Sequence, residues 1–193
     1  MGKAAHTKRS RPDTWRAPRP GLDTRPVIRF VVVFVGALVA FQCAYYALIV
    51  DSAPFHAYVG AIGGVSAALL RAAGERVITV GHQLTSSFTM SVESGCDALQ
   101  AMAILVIAVI AFPSTAGKKI LGVVGGVGVL YVLNIVRVVS LFWTGVHAPG
   151  WFETMHADVW PAAIVTSAVL LWVIWARWSL TPAASPSYDA VRS

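Results

Sequence analysis

Charged side chains make up only 12% of this 193-residue chain, and just nine are acidic, against 56% hydrophobic residues. With a mean hydropathy of +0.68, that scarcity of charge excludes an ordinary soluble domain and intrinsic disorder over most of the length. Cysteine is almost missing. Two residues, one of them inside an apolar run, cannot staple a disulfide scaffold. There is no phosphate-binding loop, because GVVGGVGV lies within an apolar run and lacks the Lys and Ser/Thr of that motif; its small residues suit close helix packing. HExxH, CxxC and GxSxG are absent too, so neither zinc, dithiol redox chemistry nor a serine elbow is indicated, and no cofactor is expected. What is plentiful is positive charge at one end. Eight of the fifteen Lys and Arg precede Phe30 and run straight into a hydrophobic segment, which reads as a cytoplasmic anchor against anionic membrane lipid rather than a nucleic-acid surface.

Residues 1–26, rich in Arg, Pro, Thr and Asp without apolar periodicity, read as a disordered basic cytoplasmic tail. Residues 27–178 form a membrane domain and 179–193 a cytoplasmic C-terminal tail. Phe30 to Val50 carries no formal charge and is long enough to cross a hydrocarbon core of about 30 Å. It exceeds the apolar core of a cleaved signal and lacks a small-x-small site, and Gln42 before Cys43 does not suit lipid attachment. Residues 52–70, with Pro54, His56, Gly60, Gly63 and Gly64, allow a fifth span or an interfacial helix capped near Gly74. Val77 to Val80 and Phe88 to Val92, separated by GHQLTSS, suggest a small β-hairpin. Ala98 to Phe112, Ile120 to about Trp143 and Val159 to Ala176 read as helical spans. With four spans and the N-terminus inside, every basic residue except Arg71, Arg76 and Arg137 lies on the inner side, and the positive-inside rule favours that count over five. Trp143, Trp151 and Trp160 then mark one interface and Trp172, Trp175 and Trp178 the other. The expected fold is therefore an all-α integral membrane protein with four transmembrane helices and a small β-hairpin.

Helical rise brings three reactive side chains to one depth. Arg137 stands about 27 Å above Lys119, where an unpaired guanidinium in hydrocarbon costs at least about 2.5 kcal/mol. Asn134, one turn below, could hold it by hydrogen bonding. Cys96 lies about 26 Å from Pro113, at the start of a helix whose dipole favours thiolate, with Glu93 and Asp97 opposing. His156, about 30 Å from Ala176, reaches the same layer; His147 in the same loop is its rival, and His82 sits in the hairpin. Cys43, mid-span among apolar residues, reads as packing. Thiol, imidazole and guanidinium together supply a nucleophile, a proton shuttle and an oxyanion stabiliser for acyl transfer.

The strings SGCDALQA entering a span, AFPSTAGKKILG as an inner turn, LNIVRVVSLF with its N-x-x-R core and MHADVWPA opening the last helix resemble the exosortase and archaeosortase family, most closely its short form, exosortase H. The resemblance runs from about Pro54 to Trp178. It implies a membrane-embedded cysteine transpeptidase or protease at the outer face of the bacterial inner membrane. Its substrates would be exported proteins with a C-terminal motif, a transmembrane helix and a basic cluster. By the same resemblance Cys96 is the nucleophile, Arg137 the oxyanion stabiliser and His156 the acid and base, and the segment at about 55–73 is an extracytoplasmic interfacial helix. One departure stands out. Asp97 and Ala98 follow the cysteine where family members usually carry a small polar residue and glycine, and a carboxylate there should raise the thiol pKa. The alternative is a small membrane carrier or assembly factor, with Arg137 and Asn134 lining a solute path.

Overall fold

The computed structural model describes residues 24–181, so nearly all of both expected tails lies outside the described residues. Helix α1 (Arg25–Ala44) starts just ahead of the expected boundary at residue 26, because Pro26 sits in its first turn, where a fixed φ and a missing N–H cost nothing. It continues through a π-helical turn, Tyr45–Ile49. Ser52 then accepts a hydrogen bond from the Phe55 N–H at 3.3 Å and opens α2 (Ala53–Ala72). Gly74, at φ +94°, closes α2 as the sequence suggested: Glu75 N–H bonds to the Leu70 carbonyl and Gly74 N–H to that of Arg71, both at 3.0 Å.

The expected hairpin is instead a three-stranded antiparallel meander of β1 (Ile78–Val80), β2 (Gln83–Thr85) and β3 (Thr89–Ser91). The middle strand comes from the string read as the hairpin loop, so β1 and β3 do not pair with each other. Leu84 is the reason. This one apolar residue of GHQLTSS is fully buried opposite Met90, with its Cδ1 beside Gly63 of α2. Helix α3 (Leu99–Ala111) and the long α4 (Ala116–His147) follow. A 3₁₀ turn (Pro149–Trp151), the single turn α5 (Phe152–Thr154) and a π turn (Met155–Val159) lead into α6 (Trp160–Ser179).

The described chain is mostly helical, and four of its helical stretches are long and apolar enough to cross a membrane: Arg25–Ile49, Ala53–Ala72, Ala116–His147 and Pro149–Ser179. That set includes α2, whereas the expected four had α3 in its place. Gly95 at φ +91° and Ala98 at φ +55° delay the start of α3, leaving thirteen residues, about 20 Å. Side-chain contacts locate both ends of α2. Phe55 packs against Tyr45 at the top of α1, and Glu75 Oε1 lies 2.6 Å from His147 Nε2 at the top of α4. Both ends of α2 therefore meet the same end of the molecule.

Charge divides along the same axis. All six described acidic residues (Asp51, Glu75, Glu93, Asp97, Glu153, Asp158) belong to the end that holds α2 and the sheet. Arg25, Arg29, Lys118, Lys119 and Arg177 gather at the other. Two apolar cores are stacked between them. An upper one joins α2, the sheet and the top of α4 through Ile62, Leu70, Leu84 and Phe142; a lower one joins α3, α4 and α6 through Met102, Leu105, Leu130 and Ala168.

Candidate functional site

Where those cores meet, the segment Glu93–Ala98 links β3 to α3. Its backbone is bent into place locally, with Cys96 N–H donating to the Glu93 carbonyl at 2.9 Å and Gly95 taking the left-handed conformation. Asp97, only 1% exposed, ties the segment down. Its Oδ1 accepts from the Leu99 N–H at 2.7 Å and its Oδ2 from the Tyr45 hydroxyl at 2.7 Å, while its carbonyl accepts from the Tyr58 hydroxyl at 2.8 Å. Buried carboxylates persist only when hydrogen-bonded in this way.

Around that anchored loop the three expected groups come together. Cys96 Sγ lies 3.3 Å from His156 Nε2, and Arg137 Nη2 lies 3.9 Å from the same sulfur. Arg137 is 4% exposed and donates from Nη1 to the Gly95 carbonyl at 3.0 Å. His156 rides on the π turn before α6, and its imidazole stacks on Phe152 at 5.6 Å, with 19° between the rings. Phe152 is held in turn by Phe88 at 5.0 Å. Burial pushes the Cys96 thiol pKa up; the Arg137 charge pulls it down and Asp97 pushes it up again, leaving a net rise. A neutral thiol beside an imidazole that can take its proton is a nucleophile–base pair. A cleft of about 100 Å³ adjoins the guanidinium, lined by Gly95, Asp97, Gln100, Arg137, Pro161 and Val165, between the starts of α3 and α6.

Other expectations fare differently. Asn134 does not hold the guanidinium. Its side-chain oxygen and nitrogen have no partner among the described residues although it is fully buried, and Arg137 Nε has none either. The Arg137 stem reaches to the Gly95 carbonyl instead of back to the turn below. His147 pairs with Glu75, and His82 stacks on His56 at 6.5 Å, so neither joins the sulfur. Cys43 is exposed on α1 rather than packed in a core. Cys96 precedes α3, as the sequence places it, in the loop ahead of the first helical turn.

The supporting side chains Tyr45, Tyr58, Phe88 and Phe152 escaped the sequence reading. Tyr45 lies 52 residues from Asp97 and carries no local signal. Phe152, one helical turn before His156 in an aromatic-rich loop, carries one through its i, i+4 spacing. Comparison with protein-family models, curated proteins and solved structures gives no match.

Proposed function

We propose that this chain is a membrane-embedded cysteine transpeptidase or protease of the exosortase type. It cleaves the C-terminal sorting signals of exported proteins at the outer face of the bacterial inner membrane. The observation that carries the reading is the 3.3 Å approach of Cys96 Sγ to His156 Nε2 with a buried guanidinium beside it. In this topology α1, α3, α4 and α6 cross the bilayer, and α2 and the sheet lie on the outer side with the acidic end. Two features support that arrangement: the common layer of both α2 ends and the concentration of Lys and Arg at the opposite end.

The substrate's own membrane helix enters beside α3 and α6, leaving its motif at the cleft by Gln100 and Val165. Docking supplies orientation. Cys96 attacks the scissile carbonyl: a bond forms between sulfur and carbon as the thiol proton passes to His156 Nε2. Arg137 donates to the developing oxyanion, a role its unpartnered Nε supports, since a buried donor without an acceptor is costly unless something completes it. The carbon–nitrogen bond then breaks and His156 returns the proton to the leaving amine, giving a thioester. Water resolves it in a protease; an amine or hydroxyl of an envelope component resolves it in a transpeptidase.

Cys96→Ala should stop maturation of a C-terminally anchored substrate by at least about 10³-fold, with the protein still present in the membrane. Normal processing would reject the enzyme and favour the carrier, for which Cys96 is replaceable. Arg137→Lys should lose about 10²-fold in the same assay, because a point charge cannot reproduce the planar fork.

A further inference from the structure

At the basic end, Pro26, Arg29, Val33, Ile110, Phe112 and Lys119 line a cleft of about 320 Å³ between the start of α1, the end of α3 and the start of α4. It has the makings of an amphipathic site. Arg29 is exposed and has no hydrogen-bond or ion-pair partner among the described residues. Lys119 Nζ spends one of its three protons on the Ile110 carbonyl at 2.6 Å, leaving two for another acceptor. Its neighbour Lys118 is differently placed. It donates to the Ser179 and Thr181 carbonyls and lies over the Trp178 ring, capping the end of α6. No described carboxylate lies at this end to neutralise the pair. Beyond the Phe30 ring a second groove of about 210 Å³ runs up the bundle past Phe34, Ile104, Ala108 and Trp172. Its walls are apolar.

We propose that this cleft is a binding site for an anionic phospholipid, with the phosphate diester between Arg29 and Lys119 and an acyl chain running past Phe30 into the adjoining groove. Charge complementarity selects this occupant: two uncompensated cations at the mouth of an apolar slot at the bundle end fit a phosphate carrying a hydrocarbon tail. The same cations repel the basic cluster of a sorting-signal substrate. A second copy of this chain would bring like charge to like. The site is remote from Cys96 and does not depend on the catalytic reading.

The full-length protein, purified in a neutral detergent, is exposed to equal amounts of phosphatidylglycerol and phosphatidylcholine and the retained lipid is weighed by native mass spectrometry. A preference for phosphatidylglycerol of roughly tenfold is expected, in keeping with two cations near one anionic headgroup. The double substitution Arg29→Gln and Lys119→Gln should abolish it; Arg177→Gln, which removes a cation from the same end outside the cleft, should preserve it. Equal retention of the two lipids, or a preference that survives the double substitution, would overturn the proposal. If the double variant does not fold, Val33→benzoylphenylalanine in the otherwise unaltered chain gives the reading in membranes. A phosphatidylglycerol photoadduct supports the site. An adduct with a protein, with phosphatidylcholine equally, or with no lipid overturns it.

Discussion

Cys96 is pulled in two directions, and the balance can be read from its reactivity. Burial and Asp97 disfavour the thiolate while Arg137 favours it, with a net rise in pKa. A thiol whose pKa is raised is protonated at neutral pH and ionises only as pH climbs past the ordinary thiol range. The alkylation rate of Cys96 by iodoacetamide should therefore inflect above the value for a free cysteine, and Arg137→Gln should move the inflection higher still. An inflection at or below the free-cysteine value would mean that a resident thiolate, not a thiol beside a base, is the nucleophile. The anchoring of the loop makes a second prediction. Tyr45→Phe removes a donor from a carboxylate that is 1% exposed, a loss of about 1.5–3 kcal/mol for a hydrogen bond to a charged group, whereas Tyr58→Phe frees only a backbone carbonyl and should cost about 1 kcal/mol. Thermal unfolding of the two variants should rank them in that order. The three reactive residues were legible in the sequence because each is a chemically unusual side chain at a readable distance along a helix. Tyr45 was not, because nothing local marks which of several interfacial tyrosines meets a carboxylate 52 residues away.

Between elements, the geometry at His156 is inherited from a ring stack that begins on α4. Gly145 faces Phe88, which packs on Phe152, which stacks on His156. A Cβ at residue 145 would overlap the Phe88 ring. Gly145→Ala should therefore push Phe88 and loosen the imidazole, costing about 1–3 kcal/mol by overpacking. Turnover should fall while Cys96 alkylation persists, since the thiol loop is held from the other side by Tyr45 and Asp97. Equal loss of turnover and alkylation would place the damage in the whole upper core instead. Ala98 exposes a related tension: it adopts φ +55°, a conformation costing roughly 1–2 kcal/mol for a residue with a Cβ. Its methyl is buried in the lower core, which offsets part of that strain. The helices were readable from hydropathy alone, but this turn was not. A non-glycine residue gives no advance notice of left-handed backbone, so the expected span begins at Ala98, one residue ahead of α3. The middle strand was lost for a similar reason, since Leu84 is a single apolar residue in a polar string, too little for an alternation to register.

For the molecule as a whole, the unresolved choice in the sequence was whether residues 52–70 cross the bilayer, and composition could not make it. A glycine-rich, uncharged stretch of that length satisfies a span and an interfacial helix alike, so Ala53–Ala72 qualifies by length and hydropathy even though its neighbours argue otherwise. The contacts that bear on it are long-range. Phe55 meets Tyr45 and Glu75 meets His147, and both partners belong to the end opposite Arg29 and Lys119. A spanning α2 would have to carry Glu75 some 30 Å away, at about 1.5 Å per residue, and break that contact. Labelling decides the matter. In a Cys43→Ser, Cys96→Ser background, Arg76→Cys, one residue past Glu75, should react with a membrane-impermeant maleimide added to intact spheroplasts. Lys119→Cys should react only after permeabilisation. If Arg76→Cys is silent until the membrane is opened, α2 crosses the bilayer, the acidic end is no longer a single outer face, and the topology proposed for catalysis falls with it.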